Sequence, residues 1–175
     1  NADNQSRVYG VANPTLTMSY SGFANGENSS VINTLPTATS PATITSNVGA
    51  YAITAAGGID DNYDFNYVAG SLTITKATLT ATVDNQSKTY GAVNPAFTIS
   101  YTGFANSETS SVLETPPTAS AAIIPTSPVG TYPITASGGL DNNYLFSFSP
   151  GTLTITKASL TATAVNASRL YGAAN

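Results

Sequence analysis

A step of 81 residues without a gap governs this chain: Tyr9, Tyr90 and Tyr171 each stand in a Ser-Arg/Lys-x-Tyr-Gly segment, and most of what lies between keeps the same step. Pro14 aligns with Pro95, Gly22-Phe23 with Gly103-Phe104, Val48-Gly49 with Val129-Gly130, Asn62-Tyr63 with Asn143-Tyr144 and Gly70 with Gly151. Self-similarity at a fixed period is the signature of a tandem array, in which units bury their apolar faces internally and against neighbours. The 175 residues divide into a first unit over 1–76 that lacks its first strand, a second over 77–157, and the opening strand and turn of a third over 158–175. A unit of about 80 residues supports a modest core, because short chains bury a smaller share of their surface than long ones.

Composition removes several functional classes. With no Cys and no His, thiolate nucleophiles, disulfides, the usual zinc sites and imidazole proton shuttles are excluded. The cations are Arg7, Lys76, Lys88, Lys157 and Arg169, and the net charge is −4, so no basic surface is expected for nucleic acid or an anionic membrane. Charged residues make up 8% of the chain, and hydroxyl and amide groups replace them as the solvating surface. Few Lys or Arg for trypsin-like proteases suits an exposed extracellular protein. No apolar stretch approaches the roughly 20 residues that cross a bilayer, so a leader or anchor is expected outside this segment.

Alternation is the dominant local pattern. Leu16 to Tyr20, Tyr51 to Thr54, Leu72 to Thr75, Leu79 to Val83, Phe97 to Tyr101, Tyr132 to Thr135 and Leu153 to Thr156 all read apolar in, hydroxyl out. Such runs predict half-buried strands. Pro133 has no amide donor, which places its strand at a sheet edge or at a point where the N–H would be free. One short helical turn per unit is expected at Glu27 to Asn33 and at Glu108 to Glu114. The fold class is therefore all-β, in small β-grasp-like or sandwich-like domains with at most one short helix each, strung into an elongated tandem array.

The joint at Lys76-Ala77, repeated at Lys157-Ala158, has no Pro, Gly or polar run, so neighbouring units should be stiffly coupled. Across it the apolar parity changes from even positions (Leu72, Ile74) to odd ones (Leu79, Ala81, Val83). Strand side chains alternate faces, so the inward face flips and a half-turn between units is expected. The strand at 78–82 has its first-unit counterpart cut away before Asn1, except for the last position. A surplus copy stands at the other end in Ser159, Leu160, Thr161, Ala162 and Thr163. That copy is a candidate strand donor to the first unit of another molecule.

The series Ser87-Lys-Thr-Tyr90-Gly91, Asn94-Pro95, Tyr101-Thr-Gly103-Phe104, Val129-Gly-Thr-Tyr132, Asn143-Tyr144 and Gly151-Thr-Leu-Thr-Ile-Thr156 resembles the MBG domain of the YGX type. The resemblance covers the whole chain as two copies and a fragment. It implies a β-grasp-like module found in long arrays in large bacterial surface and adhesin-like proteins, hence export, cell-surface location and a role as stalk or binding array. It supplies no catalytic residue.

Candidate sites follow. Tyr9, Gly10, Pro14, Tyr90, Gly91, Pro95, Tyr171 and Gly172 form the recurring structural motif. Lys76, Ala77, Lys157 and Ala158 form the joints, the lysines with buried stems. Asp60, Asp61 and Asp64 carry oxygens of the kind calcium uses, but the second unit keeps only Asp141, so Asn62 and Asn143 are read as shaping a turn before a Tyr strand. Asn4-Gln-Ser6, Asn85-Gln-Ser87 and Asn166-Ala-Ser168 match a glycan acceptor and are read as strand-to-turn segments. The recurring acids Asp3/Asp84, Glu27/Glu108 and Asp60/Asp141 are read as solvated loop charges. No catalytic residue, metal or cofactor is expected. The expected partners are neighbouring repeats or other copies of the chain, with a surface glycan or a host or abiotic surface for a binding array. A stiff spacer is the leading reading, and a carbohydrate- or protein-binding module acting through multivalency is the alternative.

Overall fold

The computed structural model describes residues 1–172. Its strands are β1 (Gln5–Val8), β2 (Thr37–Thr39), β3 (Gly49–Ala56), β4 (Gly70–Thr75), β5 (Ala77–Val83), β6 (Gln86–Thr89), β7 (Ile99–Thr102), β8 (Thr118–Ser120), β9 (Gly130–Ser137), β10 (Tyr144–Ser149) and β11 (Gly151–Thr156). The helical turns expected near Glu27 and Glu108 are single 3-10 turns at Ser29–Val31 and Ser110–Val112. Asn28 caps the first, its side-chain oxygen accepting from the Ser30 N–H at 2.9 Å. The protein is all-β.

The second unit is built from two sheets, ordered β10-β5-β7 and β6-β11-β9-β8. The buried residues are those the alternation marks: Val83 packs with Ile134, Leu153 and Ile155 of the other sheet, while Leu79 joins Ala77, Leu113 and Tyr144 in a cluster that continues into Ile53, Leu72 and Ile74 of the first unit. Burying each large aliphatic side chain contributes roughly 1.5–3 kcal/mol. Pro133 lies in β9, which is central in its sheet, so of the two placements expected it takes the one inside a sheet where the N–H would be free. Its neighbour β8 spans only Thr135 to Ser137 of β9, so the ladder on that side stops short of the proline.

The first unit repeats only one of the two sheets, ordered β1-β4-β3-β2. Two segments read as strands, Leu16 to Tyr20 and the run from Tyr63, are not strands, although their second-unit counterparts are β7 and β10. The reason is the same for both. In the second unit β5 pairs with β10 on one side and β7 on the other, whereas the first unit has only the last two positions of that strand, Asn1 and Ala2, of which Ala2 bridges Met18. Alternation makes a segment able to form a strand, but the backbone needs a partner to bond.

Exposed area fits a string of small units. The chain exposes 11257 Å², against about 8,000 Å² for one compact globule of its mass. Part of the excess is residues 158–172, which are exposed and in no strand.

Each unit also buries one cation on neutral acceptors. Arg7 donates from Nε to Asn13 Oδ1 at 2.7 Å and from Nη2 to the Thr43 carbonyl, and Asn13 passes the link on to the Ala42 carbonyl. Lys88 donates to Asn94 Oδ1 at 2.8 Å and to the Ala92 carbonyl at 3.1 Å, and Asn94 to the Ile123 carbonyl at 3.4 Å. A buried charge is tolerated only when hydrogen-bonded. The recurring basic residue and the Asn of Asn-Pro are thus one device, tying the loop after β1 or β6 to the loop before β3 or β9.

Candidate functional site: the joint between units

Lys76 alone separates β4 from β5, and the sequence on both sides is strand-forming, so no slack enters between the units. The buried side switches there as the parity predicts, from Leu72 and Ile74 to Ala77, Leu79 and Ala81. Ala77 donates its N–H to the Asn143 carbonyl at 2.9 Å and so begins the pairing of β5 with β10.

Side chains then lock the two units. Lys76 is exposed, contrary to the buried stem expected, and its Nζ donates to the Asp141 carbonyl at 2.7 Å. Asp141 and Glu108, read as solvated charges, belong to the joint. The Asp141 carboxylate is buried and accepts from the N–H groups of Asn143 at 2.8 Å and Tyr144 at 3.0 Å. Asn143, so fixed, accepts from the Val48 N–H at 3.0 Å and donates to Asn47 Oδ1 at 3.1 Å.

At the centre stands a carboxylate held by two tyrosines, one from each unit. Tyr9 donates to Glu108 Oε1 at 2.6 Å and Tyr144 to Oε2 at 2.5 Å. The Ala105 N–H donates to the Tyr144 oxygen at 2.8 Å. The Tyr9 ring meets Tyr144 edge-on at 5.6 Å, and Tyr144 meets Phe104 in the same way at 5.4 Å. Such pairs add to simple area burial. Gly10, at φ +77°, completes the contact: a Cβ there would stand 2.2 Å from the Ala105 Cβ. Both the left-handed backbone and the close approach require glycine.

Among the described residues the two later copies of the motif meet no further unit, and the contrast isolates what the joint does. Tyr9 is 5% exposed and Tyr90 is 45% exposed, and the space beside Gly91 is open. Tyr171 is fully exposed and Gly172 has φ +82°. Pro14 and Pro95 are half-buried beside the Asn of the buried-cation device. Lys157, Ala158 and the segment Ser159, Leu160, Thr161, Ala162 and Thr163 are exposed and pair with no described strand. In the first unit, Tyr63 donates to Glu27 at 2.5 Å and receives the Ala24 N–H at 3.0 Å, so half of the clamp is present.

A family model described as MBG domain (YGX type) matches residues 1–73 and 79–154. The chain belongs to that family. No curated protein and no solved structure matches it. Tyr9-Gly10 is the surface that the first MBG unit presents to the second.

Other residues set apart in the sequence are local braces of the MBG unit. Asn4 Oδ1 accepts from the Ser71 N–H at 2.9 Å and Asn85 Oδ1 from the Thr152 N–H at 2.8 Å, which gives the Asn of the first two of the three Asn-x-Ser segments a backbone partner. Asp60, read as a solvated charge, takes the Asn62 N–H at 2.8 Å, so the turn expected of Asn62 is held by the acid two residues before it. Asp84 accepts from Ser100 and Thr98, both at 2.6 Å, and these bonds hold its carboxyl below the usual aspartate value.

Burial, followed by the bond to Glu108, raises both Tyr9 and Tyr144 above the ordinary tyrosine value of 10.0. The folded state therefore binds these protons more tightly than the unfolded chain does. The stabilisation is whole below pH about 10 and is lost as pH rises through the higher folded values. Urea unfolding followed at pH 8 and at pH 11 should give a lower midpoint at the higher pH, and Tyr9→Phe should reduce that difference.

Proposed function

We propose that this MBG array is a stiff, protease-resistant spacer of a bacterial surface protein, projecting another domain from the cell or forming a fibre, and that copies continue it end to end through the C-terminal strand. The observation that carries the reading is the joint, where a one-residue connection, a shared carboxylate and a glycine contact leave no free linker. The parity switch at Lys76 supports a half-turn between successive units, which would present the same side at every second bead. The reading asks for no catalytic group, cofactor or metal.

Rigidity is the property to measure. Spin labels on Thr45→Cys and Thr126→Cys, exposed positions in the two units of a chain without native cysteine, should give one narrow distance distribution. A broad distribution, as from independently tumbling beads, would end the spacer reading.

Stacked surface rings favour a second reading, adhesion by many weak contacts. Phe146 and Phe148 lie 6.3 Å apart with planes 10° from parallel, and Phe65 and Tyr67 lie 5.9 Å apart at 4°. Flat aromatic faces of this kind are what a sugar ring stacks on, and repetition multiplies weak sites. Saturable glycan binding that is lost on Phe148→Ala would favour this function over the spacer.

A further inference from the structure

We propose that a second copy of this 175-residue chain docks head to tail by the geometry of the internal joint, placing residues 158–162 in the open groove of the first unit and leaving the last two places of that strand to Asn1 and Ala2. The proposal rests on the end-to-end reading given above and names the site, register and clamp.

The groove lies where the first unit lacks the strand equivalent to β5. Its walls are Met18, Tyr20 and Phe23 on one side and Tyr63, Phe65 and Tyr67 on the other, around a volume of about 310 Å³. Those walls are the counterparts of the segments that β5 joins in the second unit, where it runs parallel to β10 and antiparallel to β7. Only the strand's last two positions are filled, by Asn1 and Ala2, with the Ala2 N–H on the Val68 carbonyl at 2.9 Å and the Ser19 N–H on the Asn1 carbonyl at 2.9 Å.

The occupant is spelled out at the other end of the chain. Residues 158–163 read Ala-Ser-Leu-Thr-Ala-Thr, and residues 77–82, which fill this place in the second unit, read Ala-Thr-Leu-Thr-Ala-Thr. Leu160 is 94% exposed, whereas its counterpart Leu79 is fully buried. Carrying over the second unit's register places Leu160 opposite Phe65, and Ala162 between Tyr67 on one side and Tyr20 on the other. Main-chain bonds to both walls would supply affinity, and alternate side chains specificity, as in strand addition generally.

The surfaces beside the groove match as well. Glu27 holds one tyrosine, Tyr63, where Glu108 holds two, and Tyr90 is the exposed counterpart of the tyrosine that supplies the second. Docking by the internal geometry brings Tyr90 of one copy to Glu27 of the next, Gly91 against Ala24, and Lys157 to the Asp60 carbonyl. The contact joins two different surfaces and does not close on itself, so it propagates into a filament. In a longer array the same groove would take the same strand from its own chain.

Sedimentation velocity on the 175-residue chain, refolded at increasing concentration, tests this. The expected result is concentration-dependent growth into linear oligomers. Leu160→Asp alters a side chain exposed in the single molecule and puts a charge where Leu79 is buried, so it should weaken association by at least about tenfold without changing the melting of the monomer. Tyr90→Phe should weaken it less, and a peptide of residues 158–162 should compete. A wild-type chain that stays monomeric, or a Leu160→Asp variant that assembles as well as wild type, would overturn the proposal. The spin-label distances within one chain read stiffness independently of either outcome.

Discussion

Glu108→Ala should separate the melting of the two units. The substitution leaves Tyr9 and Tyr144, both buried, without the carboxylate that accepts from them at 2.6 and 2.5 Å. A hydrogen bond to a charged group contributes about 1.5–3 kcal/mol, and losing two at one buried place should cost about 3 kcal/mol or more. Part of that loss falls on the contact between units. Calorimetry should therefore show the variant's first unit melting on its own, below the joint transition of the wild type. Glu27→Ala is the internal control, because Glu27 is exposed and holds a single tyrosine. Its effect should be under about 1 kcal/mol. If the two variants lose the same stability, the clamp is not what couples the units.

Gly151→Ala should lower the second unit's unfolding midpoint strongly. Gly151 opens β11 where that strand passes the end of β5, and a Cβ there would stand 2.5 Å from the Val83 carbonyl oxygen and 3.0 Å from that of Asp84. Both obstacles are backbone, and Asp84 is fixed by its bonds to Ser100 and Thr98. Overpacking usually costs about 1–3 kcal/mol, and a clash with main chain at this distance should reach or exceed the top of that range. Gly91→Ala meets no neighbour and bears only the strain of φ +83°, expected to be about 1–2 kcal/mol. Denaturant titration of the two variants should rank them in that order, and a Gly151→Ala chain as stable as Gly91→Ala would refute the account.

Most of the fold is written locally. Leu72-Thr-Ile-Thr and its copy at Leu153 alternate, and the second period repeats the first, so strands, turns and unit boundaries can be read without knowing what touches what. Leu16 to Tyr20 was misread because its pattern is that of a strand while its pairing partner is not there. Glu108 was misread for the opposite reason. As one acid in a loop it resembles any solvated charge, and only the fold brings it to tyrosines 99 residues before it and 36 after it. Its one visible sign was that Glu27 and Glu108 keep register with the repeating tyrosines. Arg7 and Lys88 were legible as repeats, but their burial depends on carbonyls about 36 residues further along.

The direction of the strands bears on what happens when the chain is stretched. Within the second unit the entering strand β5 runs parallel to β10, and the leaving strand β11 runs parallel to β6. Opposed pulls on Ala77 and Thr156 slide each pair lengthwise, so the rungs of a ladder share the load and must fail together. A bead threaded this way resists tension by shear, where a hairpin pulled at its open ends would unzip one rung at a time.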